Sequence, residues 1–332
     1  MARRDIVVLG ASAGGVEVLS EVLADAAGAQ AAFAVVVHMA SNARTALPAI
    51  LSRTSGLDCR LAEDGDGLAS GRVLIAPPDR HLVVRRNAVS VVNAPRENRS
   101  RPAIDPLFRT AALAYGPRVI AVALSGVLDD GTAGAAAVRR RGGVVVVQDP
   151  DDALFADIPR NIIERVGADH VLPCSQIGAL IARLSTEEVE DHMPFGEDDD
   201  PAMAGQEQLL EKALNGDITQ FTCPECSGTL WEVDEDGILR YRCRVGHVYS
   251  LDSLREAQGE SVETALWIAM RALEEQAGLI RRVAERTRGY RTPTIAARHD
   301  ERADEVDRQV AVIRDLLNRL SGVRERAASA GD

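Results

Sequence analysis

Between residues 5 and 184 the chain alternates short apolar runs with stretches patterned for helices. The runs lie at 6–9, 34–37, 58–62, 73–76, 119–124, 144–148 and 170–172, and several are apolar at every position and rich in Val and Ile. That is the pattern of strands covered on both faces, as in a parallel sheet, since a strand with one wet face would alternate polar and apolar residues. Helical spacing fills 16–23, 43–53, 102–115, 132–141 and 176–184, with Pro102 suited to a first helical position and Gly116 to a C-terminal stop. Residues 81–86 and 88–93 flank Asn87 as an inserted β hairpin. The predicted architecture is α/β, a doubly wound, mainly parallel sheet with that hairpin added. No internal repeat is found.

At 332 residues the chain has room for roughly two domains. Its formal charge of −12 is local: residues 187–211 hold ten acidic side chains and no Lys or Arg. With Pro194 and Pro201 this stretch reads as a flexible acidic linker, 186–215, after a first domain ending near 185. No uniformly basic surface is implied, so nucleic acid is not an expected partner. The opening MARRDIVVLG is too short in its apolar run for a signal or a span, and no later stretch reaches spanning length, which predicts a cytoplasmic protein without direct membrane insertion.

Beyond the linker, Cys223 and Cys226 precede, and Cys243 and His247 follow, a hairpin pattern in which TLWEV and ILRYR flank Asp236-Gly237. Three thiolates and an imidazole in two pairs suit a closed, tetrahedral structural Zn²⁺ site in a zinc-ribbon-like module, 216–255. Reduced cysteines in a bare hairpin are the alternative, and a disulfide is disfavoured in the cytoplasm. Cys59 and Cys174 read as core residues. From 256 to 328 two apolar stripes follow, Val262, Leu266, Ala269, Leu273, Ala277 and Ile280, then Val306, Val310, Ile313, Leu317 and Leu320. A break at 289–293 makes an antiparallel helical hairpin the expected form.

The chemistry sits where predicted strands end. GASAGG, VVVHM and LSGVLDDG each place a polar side chain just past an apolar run: Ser12, His38 and one of Asp129 or Asp130. Open α/β sheets hold ligands at such ends, and these are the residue types of a hydrolytic triad. Ser12 lies in a glycine-rich turn entering a helix, where backbone N–H groups and the helix dipole favour a developing oxyanion. Such turns also bind phosphates, and an Asp before Thr132 also suits a helix N-cap. Spacing does not separate Asp129 from Asp130. The only lysine is Lys212, so lysine-dependent mechanisms are excluded from the first domain. The same fact removes a short-chain dehydrogenase, whose turn also needs Gly where Val16 stands.

Residues 5–184 resemble the catalytic domain of the CheB-type protein-glutamate methylesterases of bacterial chemotaxis, through IVVLGASAGG, VVVHM, VLIAPPDRHL, RPAIDPLFRTAA and LSGVLDDGTAG. The resemblance implies a triad of Ser12, His38 and Asp130, choosing Asp130 over Asp129. It also implies hydrolysis of glutamyl methyl esters on a methylated signalling receptor, with glutamine deamidation by the same acyl intermediate and no cofactor for catalysis. Three positions become candidate substrate-binding residues: Arg101 beside the RP-x-x-D segment, Ala13 where the family usually has Thr, and Val127, where Val127-Leu128 replaces Met-Gly. The family's usual receiver domain has no counterpart ahead of the first strand, so control by an attached receiver is not expected. The C-terminal region is similar to extensions on receiver-less members and is expected to dock a regulatory partner or to oligomerise the chain. A non-catalytic signalling adaptor on the same fold is the alternative function.

Overall fold

Seven strands of one parallel sheet carry the first unit, and every one of them is an apolar run anticipated from the sequence. The computed structural model describes residues 2–42, 45–190, 216–289 and 293–329, so from 191 onward the acidic linker lies outside the described residues. The first half of the fold runs β1 (Ala2–Arg3), β2 (Ile6–Ala11), α1 (Gly15–Asp25), β3 (Ala32–Val37), α2 (Leu47–Ser55), β4 (Asp58–Leu61), β5 (Arg72–Ile75), β6 (His81–Arg85), β7 (Ala88–Val92) and α3 (Ile104–Tyr115). There follow β8 (Val119–Ala123), α4 (Thr132–Arg140), β9 (Val144–Gln148), α5 (Asp157–Arg165), β10 (His170–Leu172), α6 (Cys174–Leu184) and β11 (Glu188–Val189). The sheet order is β10-β9-β8-β2-β3-β5-β4, with every neighbouring pair parallel.

Chain alternation divides each strand between two cores. Ile6 and Val8 of β2 face the side covered by α3, α4 and α5, whereas Val7 and Leu9 face α1, α2 and α6. Helix α1 meets the sheet through Leu19, Val22 and Leu23, the three- and four-residue spacing of one helical face. Winding outward from β2 toward β4, then back through β8 toward β10, puts the direction switch at β2 and β8. Their C-terminal ends are where such a sheet opens a crevice.

Several local expectations change. β6 and β7 pair antiparallel across Asn87, whose φ is 60°, but they form a separate two-stranded sheet over α3. Helix α3 starts at Ile104 with Ala103 as its N-cap, two residues after Pro102. Gly116 does end it, with φ at 50°. Helix α5 was not anticipated, because DIPRNIIER is short, charged and interrupted by Pro159.

The Cys-rich region is larger than a hairpin. β12 (Asp217–Thr222), β13 (Thr229–Glu235), β14 (Ile238–Cys243) and β15 (Val248–Tyr249) make a four-stranded antiparallel sheet in that order. Asp236 and Gly237, both at positive φ, form the tight turn between β13 and β14. This sheet belongs to the same unit as the seven parallel strands, Met1–Leu254. It is joined to them by backbone bonds, Asn98 N–H to the Val248 carbonyl at 2.8 Å and Val248 N–H to the Arg96 carbonyl at 3.2 Å. A buried charge cluster reinforces the contact: Arg109 of α3 donates to both Glu97 oxygens at 2.8 and 3.3 Å and lies 3.7 Å from Glu235 of β13.

The second unit, Arg255–Asp332, consists of most of the helix Leu251–Gly289 and the helix Pro293–Ser329. Ion pairs between them run in opposite order, Glu274 with Arg314, Arg281 with Asp307 and Arg288 with Asp300, so the helices are antiparallel. The seam is Leu266, Met270, Leu273 and Ala277, with Val310, Ile313 and Leu317 opposite. Val262 and Ala269, expected in the stripe, are exposed. The seam turns by alternating steps of three and four, and Met270 occupies the place assigned to Ala269.

Burial alone would raise the carboxyl of Glu97, but the charge and hydrogen bonds of Arg109 outweigh it and bring the pKa down from 4.5 to about 2. A group depressed in the folded state stabilises fully above its unfolded pKa and loses that contribution as pH falls through the folded one, here between about 4.5 and about 2. Glu97→Gln is therefore expected to be less stable than wild type at pH 7, with a denaturation midpoint that falls less steeply between those pH values. Parallel stability curves for the two proteins would contradict the assignment.

Candidate active site

Ser12 follows β2, His38 follows β3 and Asp130 follows β8, three strands that lie side by side. The His38 imidazole bridges the other two: its Nδ1 lies 3.0 Å from Ser12 Oγ and its Nε2 lies 2.7 Å from Asp130 Oδ2. Asp130 is buried, whereas His38 keeps an exposed edge. An ionised carboxylate can only accept, so the proton sits on Nε2 and the Nδ1 lone pair faces the Ser12 hydroxyl. The ring thus presents its two nitrogens in the opposite sense to the usual serine-protease arrangement.

The glycine-rich turn fixes the hydroxyl. Gly14 caps α1 at φ 70°, a left-handed conformation that costs a residue with a side chain. The turn is tied to the end of β8 by two bonds: Ser12 N–H donates to the Ser125 carbonyl at 2.9 Å, and Ser125 Oγ donates to the Ala13 carbonyl at 2.8 Å. Because Ser12 N–H is used in this way, it is not a free oxyanion donor. Among the described residues the N–H groups of Ala13 and Gly14 have no protein acceptor, and both stand at the positive end of α1.

Asp130 is held by four donors. Oδ2 accepts from His38 and from the Ile104 N–H at 2.6 Å; Oδ1 accepts from Asn98 Nδ2 at 2.9 Å and the Asp105 N–H at 3.2 Å. It therefore caps α3 across the fold, while Gly131 caps α4. Burial would raise its pKa, but the hydrogen bonds from His38, Ile104 and Asn98 hold the carboxyl well below the ordinary carboxylate range. Asp129 points elsewhere, accepting from Ser250 Oγ at 2.6 Å and Arg165 Nη1 at 3.1 Å.

A model of the CheB methylesterase family matches residues 7–181. The chain belongs to the CheB methylesterase family. The crystal structure of the Thermotoga maritima CheB methylesterase catalytic domain is similar at a TM-score of 0.52 and 34% identity, covering 54% of this chain and 98% of that one. A Rhodospirillum centenum protein named protein-glutamate methylesterase/protein-glutamine glutaminase of group 2 operon is 35% identical over 187 residues, which are 55% of this chain and 48% of that protein. One of the same name, numbered 2, from Anaeromyxobacter dehalogenans is 37% identical over 185 residues, 55% of this chain and 54% of it. The chain spans about half the length of the curated relatives it matches.

Of the other positions singled out in this CheB-family chain, Ala13 lies in the glycine-rich turn beside Ser12, and Val127 stands exposed directly after Gly126, where an added Cβ would meet Ser12. Arg101 is engaged away from the triad: it donates to Asp79 at 2.7 and 3.0 Å and to the Ala94 carbonyl at 2.8 Å. Asn98, Asp105, Ser125 and Arg240 were missed. Their residue types are ordinary, and only the meeting of distant segments gives them a place at the site.

Cys223, Cys226, Cys243 and His247 form a Cys3His cluster whose ligand atoms all lie within 4.8 Å of one another. Cys226 Sγ is 3.6 Å from Cys243 Sγ, and His247 Nδ1 is 3.5 Å from Cys243 Sγ and 3.7 Å from Cys223 Sγ. Thiolates on adjacent corners of a tetrahedron with metal–sulfur bonds of about 2.3 Å would be about 3.8 Å apart, so the donor set fits one ion. His247 Nε2 faces Glu225 at 3.3 Å, the outer carboxylate that commonly orients a ligating imidazole.

A Cβ on Gly126 would lie 2.7 Å from Ser12 Cβ and 2.4 Å from Ile158 Cδ1. Gly126→Ala is expected to destabilise the fold by about 1–3 kcal/mol through overpacking, read as a lower thermal midpoint. An unchanged midpoint would show that the turn and the end of β8 are looser than described.

Proposed function

We propose that this chain hydrolyses glutamate methyl esters on a protein substrate, a methylated signalling receptor of the chemoreceptor type, through an acyl-enzyme on Ser12. The observation that carries the reading is the bridge made by His38 between Ser12 Oγ and Asp130. Ser12 Oγ attacks the ester carbonyl as His38 Nδ1 takes its proton, and Asp130 supports the imidazolium through Nε2. The N–H groups of Ala13 and Gly14 receive the oxyanion. His38 returns the proton to the departing methoxide, so methanol leaves and a glutamyl ester of Ser12 remains. Water, deprotonated by His38, then cleaves that ester and restores the hydroxyl with a free glutamate. Glutamine deamidation follows the same course with ammonia as leaving group, and each step is a proton or acyl transfer within reach of these three side chains.

In this reading Ala13, Val127 and Arg101 border the substrate cleft, with the Arg101 guanidinium held by Asp79. The division expected from the sequence assigns the chemistry to 1–185, and the Cys3His module holds a structural Zn²⁺ by Cys223, Cys226, Cys243 and His247 with no open position. A cytoplasmic site of action belongs to the same reading; no described helix is long and apolar enough to cross a membrane. The C-terminal helices are assigned to a regulatory partner, which would cover Trp267, Ile268, Leu279 and Val312, each at least half exposed.

Methanol release from a methyl-esterified receptor fragment tests the function: wild type should turn over, and Ser12→Ala should lose at least about a thousandfold in rate. Absence of turnover would favour the adaptor alternative, and equal rates would reject Ser12 as nucleophile. Metal analysis of the purified chain should find one zinc per molecule, with Cys226→Ser losing both the zinc and thermal stability. A stable, metal-free wild-type protein would overturn the zinc assignment.

A further inference from the structure

The hydrogen bonds behind Asp130 lead out of the catalytic strands and into the Cys3His module. Asn98 lies between Asp130 and Asp105, its Nδ2 donating to Asp130 Oδ1 at 2.9 Å and to Asp105 Oδ2 at 2.8 Å. Which way that amide points is set at its other end. Asn98 Oδ1 accepts from Arg240 Nη2 at 3.0 Å, from the Ser250 N–H at 3.1 Å and from Ser253 Oγ at 3.3 Å. All three donors come from the region of β14, β15 and the helix start that follows. With donors filling the Oδ1 side, only the NH2 group can face the two carboxylates.

Arg240 also answers a charge problem. Asp105 and Asp130 are buried carboxylates joined to the same amide, and buried like charges oppose each other's ionisation. Arg240 Nη1 donates to Asp105 Oδ2 at 2.6 Å, and both side chains are buried. Asp105 Oδ1 accepts the Gly134 N–H at 2.7 Å, so every contact to this carboxylate is a donor and suits the ionised form. Burial pushes its pKa up to about 6, the Arg240 charge pulls against that, and the Asp130 charge adds to the rise. Without the guanidinium, Asp105 would take up a proton or repel Asp130, and either change disturbs the amide between them.

The metal ligands flank the segments that carry these donors. Arg240 lies three residues before Cys243 on β14, and Ser250 lies three residues after His247, just past β15. Closing the cluster fixes the ends of both segments that reach Asn98.

We propose that Arg240 is a positioning residue for the triad, holding Asp130 toward His38 through Asp105 and Asn98, and that metal binding in the Cys3His module keeps it there. The inference rests on the esterase reading for its kinetic consequence but not for its geometric one. The module is thereby part of the catalytic apparatus, and loss of its metal switches the triad off.

The test uses the full chain, zinc-loaded, with two readouts. One is kcat and KM for methanol release from a methyl-esterified receptor fragment; the other is the downfield proton NMR signal of His38 Nε2–H bonded to Asp130. Arg240→Met should lower kcat by about 10–100-fold, the usual cost of losing an outer partner of a functional side chain, with KM within about twofold. Arg240→Lys keeps the charge on Asp105 and loses the bond to Asn98, so it should fall between Met and wild type. The His38 signal should be lost or shifted in Arg240→Met, and lost on removing zinc from wild type with a chelator and regained on restoring it. Should Arg240→Met fail to fold, Arg240→Lys decides alone, by a lower kcat at constant KM and a shifted signal. Wild-type kcat and an unmoved His38 signal in the variants would overturn the inference while leaving the esterase reading intact. A wild type that releases no methanol would sink the esterase reading, and the NMR signal would still decide this one.

Discussion

A carboxylate buried in a protein must be surrounded by donors or give up its charge, and Asp130 satisfies that condition in a way that shapes the rest of the site. Its four partners come from three places: the end of β3, the segment before α3, and the start of α3, which supplies two successive N–H groups. Asp130 therefore joins the nucleophile side of the sheet to the helical layer beneath it. The ionised state that caps α3 is the same state that orients His38. In the proposed reaction, helix stability and catalysis therefore use one charge.

A parallel sheet explains why three remote motifs converge. All seven strands point the same way, so the residues just past each C-terminal end share one rim, and the switch in winding at β2 and β8 opens that rim into a crevice. Ser12, His38 and Asp130 are separated by dozens of residues along the chain, yet their strands are immediate neighbours. The same logic made them visible beforehand, since an apolar run followed by a lone polar residue marks a strand end. Strands buried on both faces write themselves in Val and Ile, and the Asp236-Gly237 turn and the Cys and His pairs are equally explicit.

What the chain did not disclose depends on contacts between segments. Arg240 sits in ILRYR, where an alternating strand next to a turn reads as half exposed; it is buried because a second sheet lies against α3. Asn98 has no motif, and its role arises from three donors contributed about 140 residues or more later. Helix α5 was hidden by Pro159 and charge, although Ile158 and Ile162 are buried. In the second unit a one-residue error moved the seam from Ala269 to Met270, the kind of slip a helical stripe permits when Trp267 and Ile268 beside it are also apolar.

If His38 activates Ser12, that hydroxyl reacts as a nucleophile. The full chain should be treated with a fluorophosphonate probe near neutral pH and the modified peptide mapped by mass spectrometry. The account predicts one adduct, on Ser12, formed far more slowly in the His38→Ala protein. An adduct on another side chain, or labelling of Ser12 at the same rate without the imidazole, would contradict it.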